Sequence, residues 1–440
     1  MSDGLSNMDR ALAQARALDA EDRLAGFRER FWIPMHKDGT AQLYFCGNSL
    51  GLQPRALASE MSQELESWKE LGVAGHFEGP HPWMPYHEFL REPLARLAGA
   101  SPHEVVAMNS LTVNLHLMMV SFYRPQGERR RIVIEQQAFP SDRYAVASQI
   151  RFHGLDPDDC LVELGPRDSN QGDGSHGDID RCIDEADIEA FLQAQGDTVA
   201  LVLWPGVQYA TGQVFELERI ARAAHAAGAA IGFDLAHSAG NVPLALHDSG
   251  CDFAVWCSYK YLNAGAGAVA GCFVHERHSK RTDLPRFHGW WGHDQESRFK
   301  MGHDFVPASG ADAWQLSNPP ILAMAPLRVS LAEFEAAGME NLRKKSIAMT
   351  GYLADLIKTE LDDVLQIVTP LEVGRRGCQL SLRVRAGHEK GRALFDYLEQ
   401  HGVITDWREP DIVRAAPVPL YNRFEDCWGL VDHILCWSRA

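Results

Sequence analysis

Short apolar runs alternate along this chain with stretches whose apolar positions recur at helical spacing. Arg131-Ile132-Val133-Ile134-Glu135 precedes a helix starting near Pro140. Val199-Ala200-Leu201-Val202-Leu203-Trp204 precedes an alanine-rich helix over 217–227 that Gly228 closes. Three more strand-like runs follow: Ala230-Ile231-Gly232-Phe233, Phe253-Ala254-Val255-Trp256-Cys257, and 268–274. Nearly continuous apolar strands interleaved with helices predict an α/β fold with a mainly parallel sheet covered on both faces. Upstream, Leu12, Ala15, Leu18, Leu24 and Phe27 mark an amphipathic arm over 8–30. A short strand then breaks into a Gly/Asn turn over 44–54, and a helix covers 55–71. Downstream of Asn318-Pro319-Pro320, helical patterns over 323–337 and 340–360 lead to strands at 378–384 and 403–406 around a helix near 391–400. This tail reads as a smaller α+β domain. The expected organisation is an N-terminal arm and linker (1–59), a large domain (60–325) and a small C-terminal domain (326–440). The polar, glycine-rich stretch 168–180 lacks the ligand spacing of a calcium loop and reads as a surface loop.

The length of 440 residues favours two domains over one core. A formal charge of -17, from 42 basic and 59 acidic side chains, repels phosphate backbones, so no nucleic-acid partner is expected. No apolar run approaches the ~20 residues of a membrane span, and Met1-Ser2-Asp3-Gly4 lacks a secretory layout. Nine cysteines, with no C-x-x-C pair, read as reduced thiols of a cytoplasmic protein.

In a parallel sheet, residues just past the carboxyl ends of strands share one crevice. Asp234 ends one apolar run, in Phe233-Asp234-Leu235-Ala236-His237, and Lys260 follows the next, in Cys257-Ser258-Tyr259-Lys260-Tyr261. Taken singly, Asp234 is a helix cap or loop acid and Lys260 a surface cation. Together they suit pyridoxal phosphate: the acid keeps the pyridine nitrogen protonated and the amine condenses with the aldehyde. Tyr259 adds a phenol for hydrogen bonding to phosphate or proton donation, and His237 either supports the carboxylate or caps a helix. Asn109-Ser110-Leu111-Thr112-Val113-Asn114 offers a helix start for the phosphate, and is equally compatible with ordinary capping. In Phe139-Pro140-Ser141-Asp142, Phe139 can stack on a planar ring and Asp142 can hold its O3′ side or a basic neighbour. A plain turn capped by Ser141 fits as well. Gly265-Ala266-Gly267-Ala268-Val269-Ala270 matches G-x-G-x-x-G/A, but a strand-like run follows it, which rejects a nicotinamide site. His76, His81 and His87 lack zinc spacing, so no metal is expected. Adjacent Trp290 and Trp291 belong in a core, an interface or a ligand pocket. Arg414, a lone cation among apolar residues, calls for a carboxylate from protein or substrate.

At these residues the chain resembles the kynureninases, enzymes of pyridoxal phosphate fold type I (aspartate aminotransferase-like) in the class V aminotransferase-like family. The resemblance spans nearly the whole chain, through Gly47-Asn48-Ser49-Leu50-Gly51-Leu52, Leu111-Thr112-Val113-Asn114-Leu115-His116, Phe139-Pro140-Ser141-Asp142, and blocks at 233–237, 256–267, 289–293, 317–320 and 416–422. It implies that Lys260 holds the coenzyme, that Asp234 pairs with its ring nitrogen and that His237 completes that side. Leu111, Thr112 and Tyr259 would contact phosphate, with Phe139, Pro140, Ser141 and Asp142 around the ring. Trp290 and Asn318 would come from the partner of a homodimer. Arg414 would hold the substrate carboxylate, and His76, Ser317 and Asn318 would surround its aryl ring. The implied reaction is hydrolytic Cβ–Cγ cleavage of L-kynurenine, with its 3-hydroxy form, to anthranilate (3-hydroxyanthranilate) and L-alanine in tryptophan degradation and pyridine-nucleotide synthesis. Lys260 would move the α-proton, and Tyr259 would relay another. Two departures stand out: Pro205 occupies a position that carries a hydroxyl in many relatives, and Trp291 exceeds the phenylalanine of some. The rival expectations are a cysteine desulfurase-like lyase or an aminotransferase of the same fold, and a non-catalytic coenzyme-binding regulator. The first would need a nucleophilic cysteine on a loop, the last an attached recognition module.

Overall fold

The apolar runs pair as their alternation predicts. In chain order the strands are β1 (Leu43–Tyr44), β2 (Val105–Ala107), β3 (Arg131–Glu135), β4 (Leu161–Leu164), β5 (Val199–Pro205), β6 (Ala230–Asp234), β7 (Phe253–Trp256) and β8 (Gly271–Val274). The last seven form one sheet in the order β2-β8-β7-β6-β5-β3-β4. The computed structural model describes residues 6–166 and 182–440, so the loop expected at 168–180 lies outside the described residues.

Alternate residues of each strand feed opposite cores. On one face Ile132, Ile134, Leu201 and Leu203 meet Leu115, Met119, Val146 and Ile150 of the helices Leu111–Phe122 and Pro140–Phe152. On the other, Val133, Val202, Trp204, Ile231 and Phe233 meet Ile188, Ile220, Leu327 and Leu331. Both faces are dry, which explains why these strands read as continuous apolar runs. Pairing is parallel from β4 to β7, whereas β8 runs antiparallel to both β7 and β2. The chain between β7 and β8 is taken up by the lysine loop and holds no crossover helix, so it returns directly, and a direct return gives an antiparallel strand. For the same reason β8 starts at Gly271 rather than at Ala268.

The remaining strands are β9 (Leu365–Ile367), β10 (Leu380–Val384), β11 (Val403–Ile404), β12 (Asp406–Arg408) and β13 (Ile412–Ala415). Four of them form an antiparallel sheet ordered β12-β13-β10-β9, and β11 pairs in parallel with β1. Residues 8–30, expected as one arm, are a helix (Asn7–Glu21) followed by a 3-10 turn (Ala25–Arg30). Ala11 and Ala15 of that helix share a core with Met349, Leu353, Leu430 and Ile434. Its Asp19 carboxylate accepts the Phe424 and Glu425 N–H groups at 2.8 and 3.0 Å, which caps the last helix, Phe424–Ser438. Among the described residues no helix is long and apolar enough to cross a membrane.

Candidate active site

Asp234 closes β6, and the loop after β7 carries Lys260, so both stand at the carboxyl edge of adjacent parallel strands. Asp234 is 8% exposed, and its Oδ1 accepts the Ala236 N–H at 2.7 Å, which fixes the carboxylate at the strand end. Lys260 Nζ lies 3.1 Å from His237 Nε2 and 5.9 Å from the ring centres of Phe139 and Tyr259. His237 thus faces Lys260, and its buried Nδ1 has no partner. Burial holds this imidazole well below its ordinary pKa, reinforced by the positive charges of Lys260, Arg414 and Arg408. Burial also pushes Tyr259 up to about 12, so its phenol is a proton donor at neutral pH.

The lysine loop is braced by the Gly47–Leu52 block. The Gly51 N–H donates to the Tyr259 carbonyl at 2.9 Å, and a Cβ on Gly51 would stand 2.3 Å from the Lys260 carbonyl oxygen. Only glycine admits that approach.

Two helices start without a side-chain cap, one of them after Phe139, whose ring faces the lysine, and the other tied to it. Ser110 makes no capping hydrogen bond to the helix Leu111–Phe122, contrary to the ordinary-cap alternative, and Phe139 offers none to the helix Pro140–Phe152. Thr112 Oγ1 and Ser141 Oγ, 3.0 Å apart, tie the two starts together. Uncapped N–H groups with hydroxyls between them suit a phosphate. Phe139, 45% exposed, meets Tyr209 edge-on at 5.4 Å. Asp142 lies next to Asp234, and its pKa is pushed well up by burial and then by that neighbour's charge. Pro205 pairs with Asp234 across β5 and β6, and the following Gly206 N–H donates to the Asp234 carbonyl at 2.9 Å.

Arg414, fully buried on β13, faces Asp406 on β12. Its Nε and one terminal nitrogen lie 3.1 and 2.8 Å from Asp406 Oδ1. It also donates to the Tyr209 carbonyl at 2.7 Å and to Ser49 Oγ at 3.3 Å. Arg408 and Ser49 bind the other Asp406 oxygen. Asp406, Ser49, Tyr209, Gln208 and Glu135 were not among the residues expected at the site. Two of them had a sequence signal, Asp406 as an acid on the strand run preceding Arg414 and Ser49 within the Gly47–Leu52 block.

Other expected residues lie apart. His76 ends the turn Gly72–His76, with Nδ1 3.1 Å from the Val73 carbonyl and its ring edge-on to Trp83 at 5.4 Å. Trp83 also lines an apolar groove of about 440 Å³ with Trp68, Pro320, Ile321 and Leu322, and Ser317 and Asn318, just before Pro320 in the chain, are exposed. The tryptophan pair divides: Trp290 is 39% exposed against Phe299, while Trp291 is 1% exposed, with the Arg298 guanidinium 4.2 Å from its ring centre. Among the described residues, no hydrogen bond or ring contact joins His76, Trp290, Ser317 or Asn318 to the Lys260 group. The segment Gly265 to Ala270 does not open a helix, in keeping with rejection of a nicotinamide site.

An amine against one nitrogen of an imidazole whose other nitrogen has no partner, a buried carboxylate and two uncapped helix starts together fit pyridoxal phosphate. Comparison with known proteins agrees. Residues 342–434 match the family model of the kynureninase C-terminal domain. A kynureninase from Xanthomonas campestris pv. campestris is 57% identical over 440 residues, covering all of both chains, and one from Stenotrophomonas maltophilia is 57% identical over 438, with the same coverage. Among solved structures, a cysteine desulfurase from Thermococcus onnurineus superposes with a TM-score of 0.74 at 17% identity, covering 94% of this chain and 98% of that one. One from Escherichia coli gives 0.72 at 15%, with 95% and 98% coverage. These distant structures share the fold. With full-length identity of this order, the chain belongs to the kynureninase family.

Proposed function

We propose that this protein hydrolyses the Cβ–Cγ bond of L-kynurenine, and of its 3-hydroxy form, to anthranilate (3-hydroxyanthranilate) and L-alanine. The observation that carries this reading is the 57% identity to kynureninases along the entire chain. When bound, pyridoxal phosphate supplies the sink for the electron pair left at Cα on loss of its proton. Lys260 Nζ is the group that takes and returns that proton. His237, kept neutral by burial, accepts a hydrogen bond from Nζ through Nε2 and so aims the amine. Asp234 holds the proton on the ring nitrogen. Arg414, anchored by Asp406, grips the substrate carboxylate, and Tyr259, with its pKa raised, hands a proton to the departing β-carbon.

The desulfurase alternative lacks its nucleophile. Cys257, three residues before Lys260, is buried, lies 4.0 Å from the Ala236 carbonyl and has its pKa raised by burial. We further propose a homodimer in which Trp290 and Asn318 of one subunit, with Ser317 and His76, complete the aryl pocket of the other. The exposure of Trp290, Ser317 and Asn318 in one subunit supports this. A cytoplasmic location and a role in tryptophan breakdown belong to the same proposal; the unpaired cysteines support the location. Coenzyme-loaded protein given L-kynurenine should release anthranilate and alanine in equal amounts, and Lys260→Ala should abolish this. Sulfide from cysteine, or amine exchange with glutamate, would overturn the assignment.

A further inference from the structure

Arg408 stands beside Arg414 and has no part in the chemistry above. Residues two apart on a strand share a face, so Asp406 and Arg408 of β12 stand on the side where Asp406 meets Arg414 of β13. The two guanidiniums divide one carboxylate. A terminal nitrogen of Arg414 lies 2.8 Å from Asp406 Oδ1, and Arg408 Nη2 donates to Oδ2 at 3.1 Å. Both arginines also reach Ser49 Oγ, at 3.3 and 3.4 Å. Among the described residues neither has another acid as an ion-pair partner, so two positive charges meet one negative charge. The Cys46 thiol, 3.9 Å from Asp406 Oδ2, has its pKa pushed up to about 11 by burial and adds no charge at neutral pH. The cluster thus holds one cation in excess.

The two arginines differ in what they have left to give. Arg414 is fully buried, and Asp406, Tyr209 and Ser49 between them engage all three of its nitrogens. The Arg408 side chain is 36% exposed. Asp406 and Ser49 take its Nη2, the Trp407 carbonyl takes one N–H of Nη1 at 3.2 Å, and its Nε has no partner. Of five N–H groups, two therefore remain unmatched. The cluster borders the lysine loop, because Gly51, two residues after Ser49, donates to the Tyr259 carbonyl at 2.9 Å. Both guanidiniums also help to hold down the pKa of His237, the residue against Lys260 Nζ.

Resting on the function proposed above, we propose that Arg408 is a second substrate-binding residue: the α-carboxylate enters between Arg408 and Arg414 at Ser49 and supplies the negative charge that Asp406 alone does not. Arg414, locked by Asp406, sets the position. Arg408, the accessible guanidinium, adds a charge-assisted hydrogen bond and raises the selection for substrates that carry the carboxylate. No covalent bond changes.

The test compares ligands with and without that carboxylate on the holoenzyme. Steady-state turnover gives KM and kcat for L-kynurenine. Inhibition gives Ki for kynuramine, the same aryl ketone amine lacking the α-carboxylate, and thermal denaturation gives Tm. Arg408→Gln should raise KM at least ~10-fold, with kcat within about 3-fold and Ki for kynuramine within about 2-fold of wild type. Arg408→Lys, which keeps the charge and loses the planar fork, should fall between. A parallel rise in KM and Ki would make Arg408 a brace for the pocket as a whole, and an unchanged KM would place it outside the pocket; either overturns the proposal. If Arg408→Gln does not fold, the same ratio of KM to Ki in Arg408→Lys decides. Wild-type holoenzyme that releases no anthranilate from L-kynurenine would instead sink the underlying reading, so the two failures are distinct.

Discussion

Arg414 can be buried because Asp406 meets it from the next strand, and the pair should govern substrate capture. Asp406→Asn leaves a buried guanidinium without its counter-charge, a loss of about 3–5 kcal/mol in such settings. Thermal denaturation should show a clear fall in Tm, and KM for L-kynurenine should rise at least ~10-fold with a smaller change in kcat. An unchanged KM would remove Asp406 from the substrate site. Tyr259→Phe should lower kcat by about 10²–10⁴ with KM nearly constant, if the phenol moves a proton in the rate-limiting step. Asp234 and Lys260 were legible in the sequence because each directly follows an apolar strand. Arg414 was legible as an arginine in an apolar run, but its partner was not named, since a hairpin's register is set by the paired strands. Tyr209 and Gln208 sit on the irregular stretch after β5, where no periodicity marks a side chain as inward. Only the tertiary fold brings them to Arg414 and Glu135.

Strands and helices in the parallel part of the sheet fell within a few residues of the pattern because burial on both faces dictates composition directly. The antiparallel return of β8 was missed, since direction depends on whether a helix separates two strands and not on the strands themselves. Close packing also makes β6 intolerant: a Cβ on Gly232 would stand 2.0 Å from the Phe253 ring. Gly232→Ala should cost roughly 1–3 kcal/mol and lower Tm by several degrees in scanning calorimetry. Between shorter elements, His247 of the turn Leu246–Ser249 bonds the buried Glu104 carboxylate through Nδ1 at 3.0 Å, which raises its pKa. The fold thus favours protonated His247. Its contribution is complete below the unfolded value of about 6.5 and fades as pH climbs through the folded-state value. His247→Gln should flatten the Tm profile on the alkaline side of that point, and parallel curves for variant and wild type would rule the linkage out.

At the scale of the whole molecule, the proposed shared site predicts complementation. Lys260→Ala and Asn318→Ala proteins, each inactive alone, should regain activity when unfolded together and refolded. Heterodimers then hold one site in which both residues are wild type, and activity assays on the separated mixtures measure it. No recovery would place Asn318 in its own subunit's site or outside any. The meeting of the helices Asn7–Glu21 and Phe424–Ser438 in one core bears on how the chain is made. During synthesis the helix Asn7–Glu21 leaves the ribosome long before its seat on Phe424–Ser438 exists, so the two can dock only after that last helix is made. A chaperone that holds this segment, or a fusion that sterically blocks it, would act on the closing step of maturation rather than on catalysis.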